Sequence, residues 1–360
     1  MPWSPAFDTD RFPSYTRRRV VPANQVTDDD YPDEEGDVIF RVLVALAIVV
    51  AGMLVGPTGT AAQRVPKVGV LSPFGERADP FLVALKGALS KVGYVEGRTI
   101  AYEYRSAGGM VERLPQLALD LSSLKLDVIV TTTAPGVQAA RQATKTIPIV
   151  MGGVDDAVEQ GFVAGLARPG ANITGVSWLN TELSAKRVGL LKEALPKLSR
   201  VAVLREAVGS AGSLRAMEKA ARSLGMRLHV MELRVPAEID GAFSEMGRER
   251  VGALVMMQGP MIDSREEHII GLARRYRLPT MFADGHAVQG GGLMSYGPEL
   301  GEIYRHAVTY VDRILKGKKP AELPIEQPTR FELLINVKTA RALGLMLPQA
   351  ILLRADGIIQ

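Results

Sequence analysis

From Lys67 onward the chain repeats one pattern: a short, β-branched apolar run, then an amphipathic stretch of about 12–18 residues. Strands separated by helical crossovers form parallel sheets with helices packed on both faces. The runs at 68–71, 128–130, 147–151, 201–204 and 253–256 are apolar without alternation. Strands buried on both faces have that composition. Helices are expected between the strands, among them 80–92, 111–121, 136–143, 158–166, 182–195 and 299–315. About four such units precede Gly170 and about four follow it. A chain of 360 residues also exceeds what one core usually serves. The expected fold is therefore α/β, with two doubly wound parallel-sheet lobes and a ligand cleft between them.

In open parallel sheets the ligand sits beyond the carboxyl ends of the strands. The residues there are Ser72 and Phe74, Thr132 and Thr133, Asp156, Trp178 and Asn180, Arg205, Gln258, Phe282 and Asp284, and Tyr296. They suit a polar small molecule. Asp156 is the candidate partner for an ammonium group. Ser72, Thr132 and Thr133, with the amides of the helix starting near Gly136, would take a carboxylate or carbonyl. Phe74, Trp178, Phe282 and Tyr296 would supply flat walls, although core packing is the ordinary fate of such rings. The pair Asp155-Asp156 also fits a metal site, acid–base chemistry or a solvated turn. Arg205 favours an acidic ligand or faces solvent.

Several chemistries find no residues. The chain has no cysteine, which removes disulfides and thiol chemistry. Gly317-Lys-Lys-Pro lacks the spacing of a phosphate loop, and Gly69-Val-Leu-Ser-Pro-Phe-Gly75 places Pro where a dinucleotide loop needs amide donors. Gly175-Val-Ser177 is followed by Trp178, not by the glycine of a nucleophile elbow. His229, His268, His286 and His306 show no metal-ligand spacing. No cofactor, metal or catalytic residue is expected, and the chain reads as a binder rather than an enzyme. Its basic residues form no run interleaved with aromatics, so no nucleic-acid partner is expected either.

The first sixty residues differ from the rest. Residues 1–37 carry nine acids against four arginines, a net of −5, which leaves +9 of the chain's +4 total for residues 38–360. They lack apolar periodicity and read as a disordered extension, whose presence a translation start near Val38 would remove. Fourteen uncharged residues follow, Val42 to Val55. As a helix they would span about 21 Å, short of a bilayer core of about 30 Å. Gly56-Pro57 ends the run and Thr58-Gly-Thr-Ala-Ala62 supplies small residues, so 38–62 reads as a signal peptide cleaved after Ala62. A retained anchor is the alternative; a lipid-modified N-terminus is not, because no cysteine follows.

Three segments carry a family resemblance: Ala167-Arg-Pro-Gly-Ala-Asn-Ile-Thr-Gly175, Gly291-Gly-Leu-Met-Ser-Tyr-Gly-Pro298, and the tail from Pro324-Ile-Glu-Gln-Pro to Leu352-Leu-Arg-Ala-Asp356. From about Val65 to its end, the chain resembles ABC transporter substrate-binding proteins of the tryptophan and aromatic amino-acid type. The resemblance implies a type I periplasmic-binding-protein fold. It places one lobe at 65–170 plus about 284–315 and the other at 171–283 plus about 316–360. It implies an extracytoplasmic, periplasmic and monomeric component of an importer that closes on an amino acid or an aromatic or acidic compound. The implied partner is an ABC permease in the inner membrane. The family's Gly-Asp-Pro-Val loop aligns with Asp155-Asp-Ala-Val158, so Asp156 matches its acid. Its Gly-Thr-Pro turn appears as Thr133-Ala134-Pro135, and its Trp-Asn-Pro as Arg205-Glu206-Ala207. These departures fall in the expected pocket. An exported sensor for a membrane receptor, or a hydrolase using Asp155 or Asp156, are the alternative functions.

Overall fold

Val128, Val130 and Ile129 are neighbours in sequence yet enter two different cores, because successive strand residues point to opposite faces. They lie on β3 (Val128–Thr131) of a five-stranded sheet, with β1 (Lys67–Ser72), β2 (Ala101–Ser106), β4 (Ile149–Asp155) and β5 (Ile173–Trp178), in the order β2-β1-β3-β4-β5. Every pairing is parallel. One face packs on Phe81, Leu85 and Leu89 of α1 (Pro80–Lys91). The other packs on Leu114, Ala118 and Leu121 of α2 (Leu114–Ser123) and on Val137 and Ala140 of α3 (Ala134–Ala143). The spacing of three and four residues puts each set on one helix face. This computed structural model describes residues 64–74, 80–178, 180–207 and 211–360, and the expected extension and signal peptide at 1–62 fall outside them.

A second sheet repeats the plan. It contains β6 (Arg200–Glu206), β7 (Arg227–Leu233), β8 (Ala253–Met256), β9 (Thr280–Phe282), β10 (Met294–Pro298), β11 (Phe331–Asn336) and β12 (Gly357–Ile359), in the order β12-β11-β10-β9-β8-β6-β7. On β8, Ala253 and Val255 join α4 (Asn180–Ala194) and α5 (Ala211–Ser223) on one face. Leu254 and Met256 join α6 (Ile239–Arg248) on the other. Three further helices follow: α7 (Pro260–Asp263), α8 (Glu266–Arg275) and α9 (His286–Gln289). Only the β10–β11 pairing is antiparallel among the described strands. Two parallel-sheet α/β lobes are thus what the alternating pattern called for.

The lobe boundaries fall elsewhere than expected. β5 pairs with β4, so the first lobe runs through Trp178 and does not stop at Gly170. β10 pairs with β9, so residues 284–298 stay in the second lobe. Only α10 (Leu300–Leu315) returns to the first, where Ile303, Ala307 and Val311 complete the core against α1. The stretch after it also stays there: Leu323 and Ile325 are buried in the first lobe's cores, and Ser177 donates its backbone N–H to the Glu326 carbonyl. The chain therefore crosses between lobes at 178–180, 298–300 and 327–331. The expected helix at 158–166 is a run of turns instead, with Asp156 and Gly161 in left-handed conformations (φ 41° and 67°) that a helix does not admit.

Close approach of β5 to β4 depends on Gly175. Its φ is +132°, and a Cβ there would lie 2.3 Å from the Met151 carbonyl oxygen. Gly175→Ala combines backbone strain with a backbone clash and should cost at least about 2 kcal/mol in urea unfolding. A change under about 0.5 kcal/mol would mean that the two strands are less tightly apposed.

Candidate ligand-binding cleft

The carboxyl ends of the two sheets face one another across a cleft of about 1180 Å³. From the first lobe come Phe74 after β1, Thr132 and Thr133 after β3, Gly152–Asp156 at the end of β4, and Trp178 at the end of β5. Phe81 and Tyr304 add rings from α1 and α10, stacked edge-to-face at 5.3 Å. The second lobe contributes Gln258, Gly259, Asp263, Ser264, Asp284 and His286. A local irregularity aims the β4 carboxylates. The register of β4 against β5 shifts between Gly152 and Val154, and Gly153 takes φ +110°. That bulge packs Gly153 against the indole of Trp178, which is 9% exposed.

Eight of the twelve residues expected at the site line this cleft: Phe74, Thr132, Thr133, Asp156, Trp178, Asn180, Gln258 and Asp284. The other four do not. The Ser72 hydroxyl is buried and accepts the backbone N–H of Phe74, closing the turn after β1. Arg205 stands opposite Glu232 in the β6–β7 register and pairs with it at 3.1 Å, which turns it from the cleft. Phe282 is buried in the core, where Gly292 leaves room for its ring. Tyr296 packs on the opposite core and on Phe331, at 6.4 Å between ring centroids. Ser72, Arg205 and Phe282 sit at or next to strand ends, and Tyr296 in the middle of β10. The face on which a residue sits, fixed by register, decides whether it reaches the cleft or the core.

The hinge holds a residue the sequence did not single out. Arg187 on α4 is 1% exposed. Its Nη1 donates to Asn180 Oδ1 and its Nε to the Tyr296 carbonyl, each at 2.7 Å. Asn180 Nδ2 donates in turn to Asp155 Oδ2 at 2.8 Å. One guanidinium thereby ties the first crossing to the approach of the second and to the carboxylate ending β4. Burial pushes Arg187 down to about 10, so it stays charged at neutral pH. The same burial raises Asp155. Nearby, Thr181 Oγ1 donates to Asp156 Oδ2 at 2.8 Å. The second and third crossings are joined by Glu302, which accepts from Thr329 Oγ1 at 3.0 Å and from the Arg330 N–H at 3.2 Å.

On the second lobe, carboxylates converge from three strand ends. Glu206 ends β6 and accepts the N–H groups of Met261 and Ile262 at 2.8 and 3.0 Å. Asp263 closes α7, Asp284 follows β9, and Glu266 opens α8. Gln258 Nε2 donates to Asp284 at 3.3 Å, and His286 Nδ1 lies 2.9 Å from Glu266. Burial, then repulsion from Asp284, Glu206 and Glu266, holds Asp263 well above the usual carboxylate range. Burial and Asp284 raise Glu266 as well. Tyr304, Phe81, Asp263 and Glu266 lay on helices, where no strand-end signal marked them.

The description "ABC transporter substrate binding protein" matches residues 75–359. The chain belongs to this family. A tyrosine-binding protein from Clostridioides difficile (strain R20291) is 26% identical over 264 residues, which cover 72% of this chain and 74% of the relative. A crystal structure of a conserved domain protein from Vibrio cholerae has a TM-score of 0.75 and 30% identity, covering 82% of this chain and all of that one. A Streptococcus pneumonia ABC domain in complex with L-Trp has a TM-score of 0.74 and 23% identity, covering 82% and 99%. The binding protein thus shares its two-lobed architecture with type I periplasmic binding proteins.

Two measurements probe the site without a ligand. Arg187→Met strands the Asp155 carboxylate and should destabilise the protein by about 3–5 kcal/mol in urea; a loss under about 1 kcal/mol would show that the hinge does not depend on the guanidinium. Asp263→Asn removes one charge from a repelling group. Because the native carboxyl is raised, its ionisation lowers stability as pH climbs through its folded-state value. The variant should melt a few degrees above wild type at alkaline pH, and the gain should shrink as acid returns the proton to the raised wild-type carboxyl. An unchanged or lower melting temperature across the pH range contradicts the repulsion.

Proposed function

We propose that this protein is the extracytoplasmic solute-binding component of an ABC importer. It captures a small polar ligand, an amino acid or an aromatic compound, by closure of the two lobes and presents the closed form to an inner-membrane permease. It acts as a monomer and performs no chemistry on the ligand. The observation that carries the proposal is the cleft itself, where aromatic walls from Phe74, Phe81 and Trp178 stand beside the Asp156 carboxylate. Rings of that kind bury a flat body, and a few placed polar groups fix its orientation. Relatives named for tyrosine binding and for a bound L-Trp support the same class of ligand. The hydrolase alternative loses ground because Asp155 and Asp156 are held by Asn180 and Thr181. Export rests on the apolar segment and small residues before Gln63, and among the described residues no helix is long and apolar enough to cross a membrane.

Trp178 offers a direct readout, since the only other tryptophan is Trp3. A ligand entering the cleft should change the indole fluorescence, and Trp178→Phe should abolish that change. The same ligand at about 100 times its Kd should stabilise the fold by about 2.7 kcal/mol. Asp156→Ala should weaken a ligand bearing an amine by about 1.5–3 kcal/mol. An unaltered affinity removes Asp156 from the site; a screen of amino acids and aromatic acids with no response, together with no co-purifying small molecule, removes the solute-binding reading. N-terminal sequencing of the mature protein should begin at Gln63.

A further inference from the structure

The chain as a whole is basic, with 43 Lys and Arg against 39 Asp and Glu. The cleft inverts that balance. Its walls hold eight carboxylates, and among the described residues no lysine or arginine lines it. Glu112, Asp155, Asp156 and Glu159 come from the first lobe; Asp263, Glu266, Glu267 and Asp284 come from the second. Arg187 is committed to Asn180 and the Tyr296 carbonyl, and Arg141 to Gln138 and the Gly161 carbonyl. His286, the one basic side chain on the described wall, is paired with Glu266.

From this geometry we infer that the cleft takes an organic cation: a flat apolar body carrying a protonated amine or a guanidinium and a net positive charge, its charged end received by Asp263, Asp284 and Glu266. The inference rests on the solute-binding reading above and narrows it. Three observations converge. Asp263 accepts a backbone N–H from Gly259 but has no ion-pair partner among the described residues, so its charge is left without a counter-ion. Burial first, and then repulsion from neighbouring carboxylates, raises Asp263 and Glu266, and a cation between them relieves that repulsion. The facing wall is built from Phe74, Phe81, Trp178 and Tyr304, rings whose faces attract a cation and cover an apolar body. A metal ion is the poorer occupant, because among the described residues no three His, Asp or Glu side chains are grouped to hold one. An anionic ligand would be desolvated among like charges. A zwitterion gains an ammonium contact but brings its carboxylate into the same field.

Three indoles with one ring and three charges test this on the full-length protein: tryptamine, L-tryptophan and indole-3-acetate, titrated by calorimetry with thermal shift alongside. Tryptamine should bind at least about tenfold more tightly than L-tryptophan, and indole-3-acetate least tightly. Asp263→Asn and Asp284→Asn should each weaken tryptamine about tenfold while changing L-tryptophan by less than about threefold. The melting curve of each variant separates lost contact from lost fold. Equal or tighter binding of L-tryptophan or indole-3-acetate overturns the cationic assignment and leaves the solute-binding function standing. Insensitivity of tryptamine to both variants overturns the assignment to the second lobe. If none of the three binds, the assignment falls; the broader function falls with it only if mass spectrometry also finds no small molecule released from the denatured protein.

Discussion

Arg187 is the interaction on which the arrangement of the cleft depends. A buried guanidinium is costly unless its donors are met and its charge is balanced. Here Nη1 donates to Asn180 on the first crossing and Nε to the Tyr296 carbonyl just before the second, Nη2 is buried without a partner, and Asp155 balances the charge through Asn180. The segments joining the lobes are thus held together by a group that cannot be solvated away. Glu302 does the corresponding work for the third crossing.

The same economy explains why the acids of the cleft stand where they do. Parallel strands in each lobe end at the cleft, so the residues just after them meet there. On the first lobe the β4 bulge at Gly153 turns Asp155 and Asp156 toward the hinge and gives the Trp178 ring its place. On the second, Glu206 anchors the start of α7 by accepting two backbone N–H groups, and α7 in turn presents Asp263 beside Asp284. A structural carboxylate thereby positions a second one that accepts a backbone N–H from Gly259 but has no cation beside it among the described residues. The stability lost to repulsion there is the kind of local cost that binding sites retain.

Membership of the ABC transporter substrate-binding family fits the fold without dictating the ligand. The positions that depart from the family pattern divide by role. Arg205, which seemed able to set ligand charge, is absorbed by a cross-strand pair with Glu232. Asp156, which matches the family's acid, keeps its place on the wall, with Thr181 holding one of its oxygens. In the proposed cationic site, the charge comes instead from Asp284 after β9 and from Asp263 and Glu266, on helical segments after β8.

What the sequence determined by itself was the periodicity and its consequence. Apolar runs without alternation, separated by amphipathic stretches, require strands buried on both faces, and two such sets require two lobes with facing strand ends. Eight cleft residues followed from that rule alone. Tertiary structure decided the rest. Strand pairing moved β5 into the first lobe and kept β10 in the second, because hydrogen bonding between distant segments, not order along the chain, assigns a strand to a sheet. Register sent Phe282 and Tyr296 to the cores and Arg205 to Glu232, since neighbouring residues of one strand face opposite ways. Asp263, Glu266, Tyr304 and Arg187 all lie on helices. Only packing brings the first three to the cleft and Arg187 to the hinge behind it, so no local pattern could have announced them.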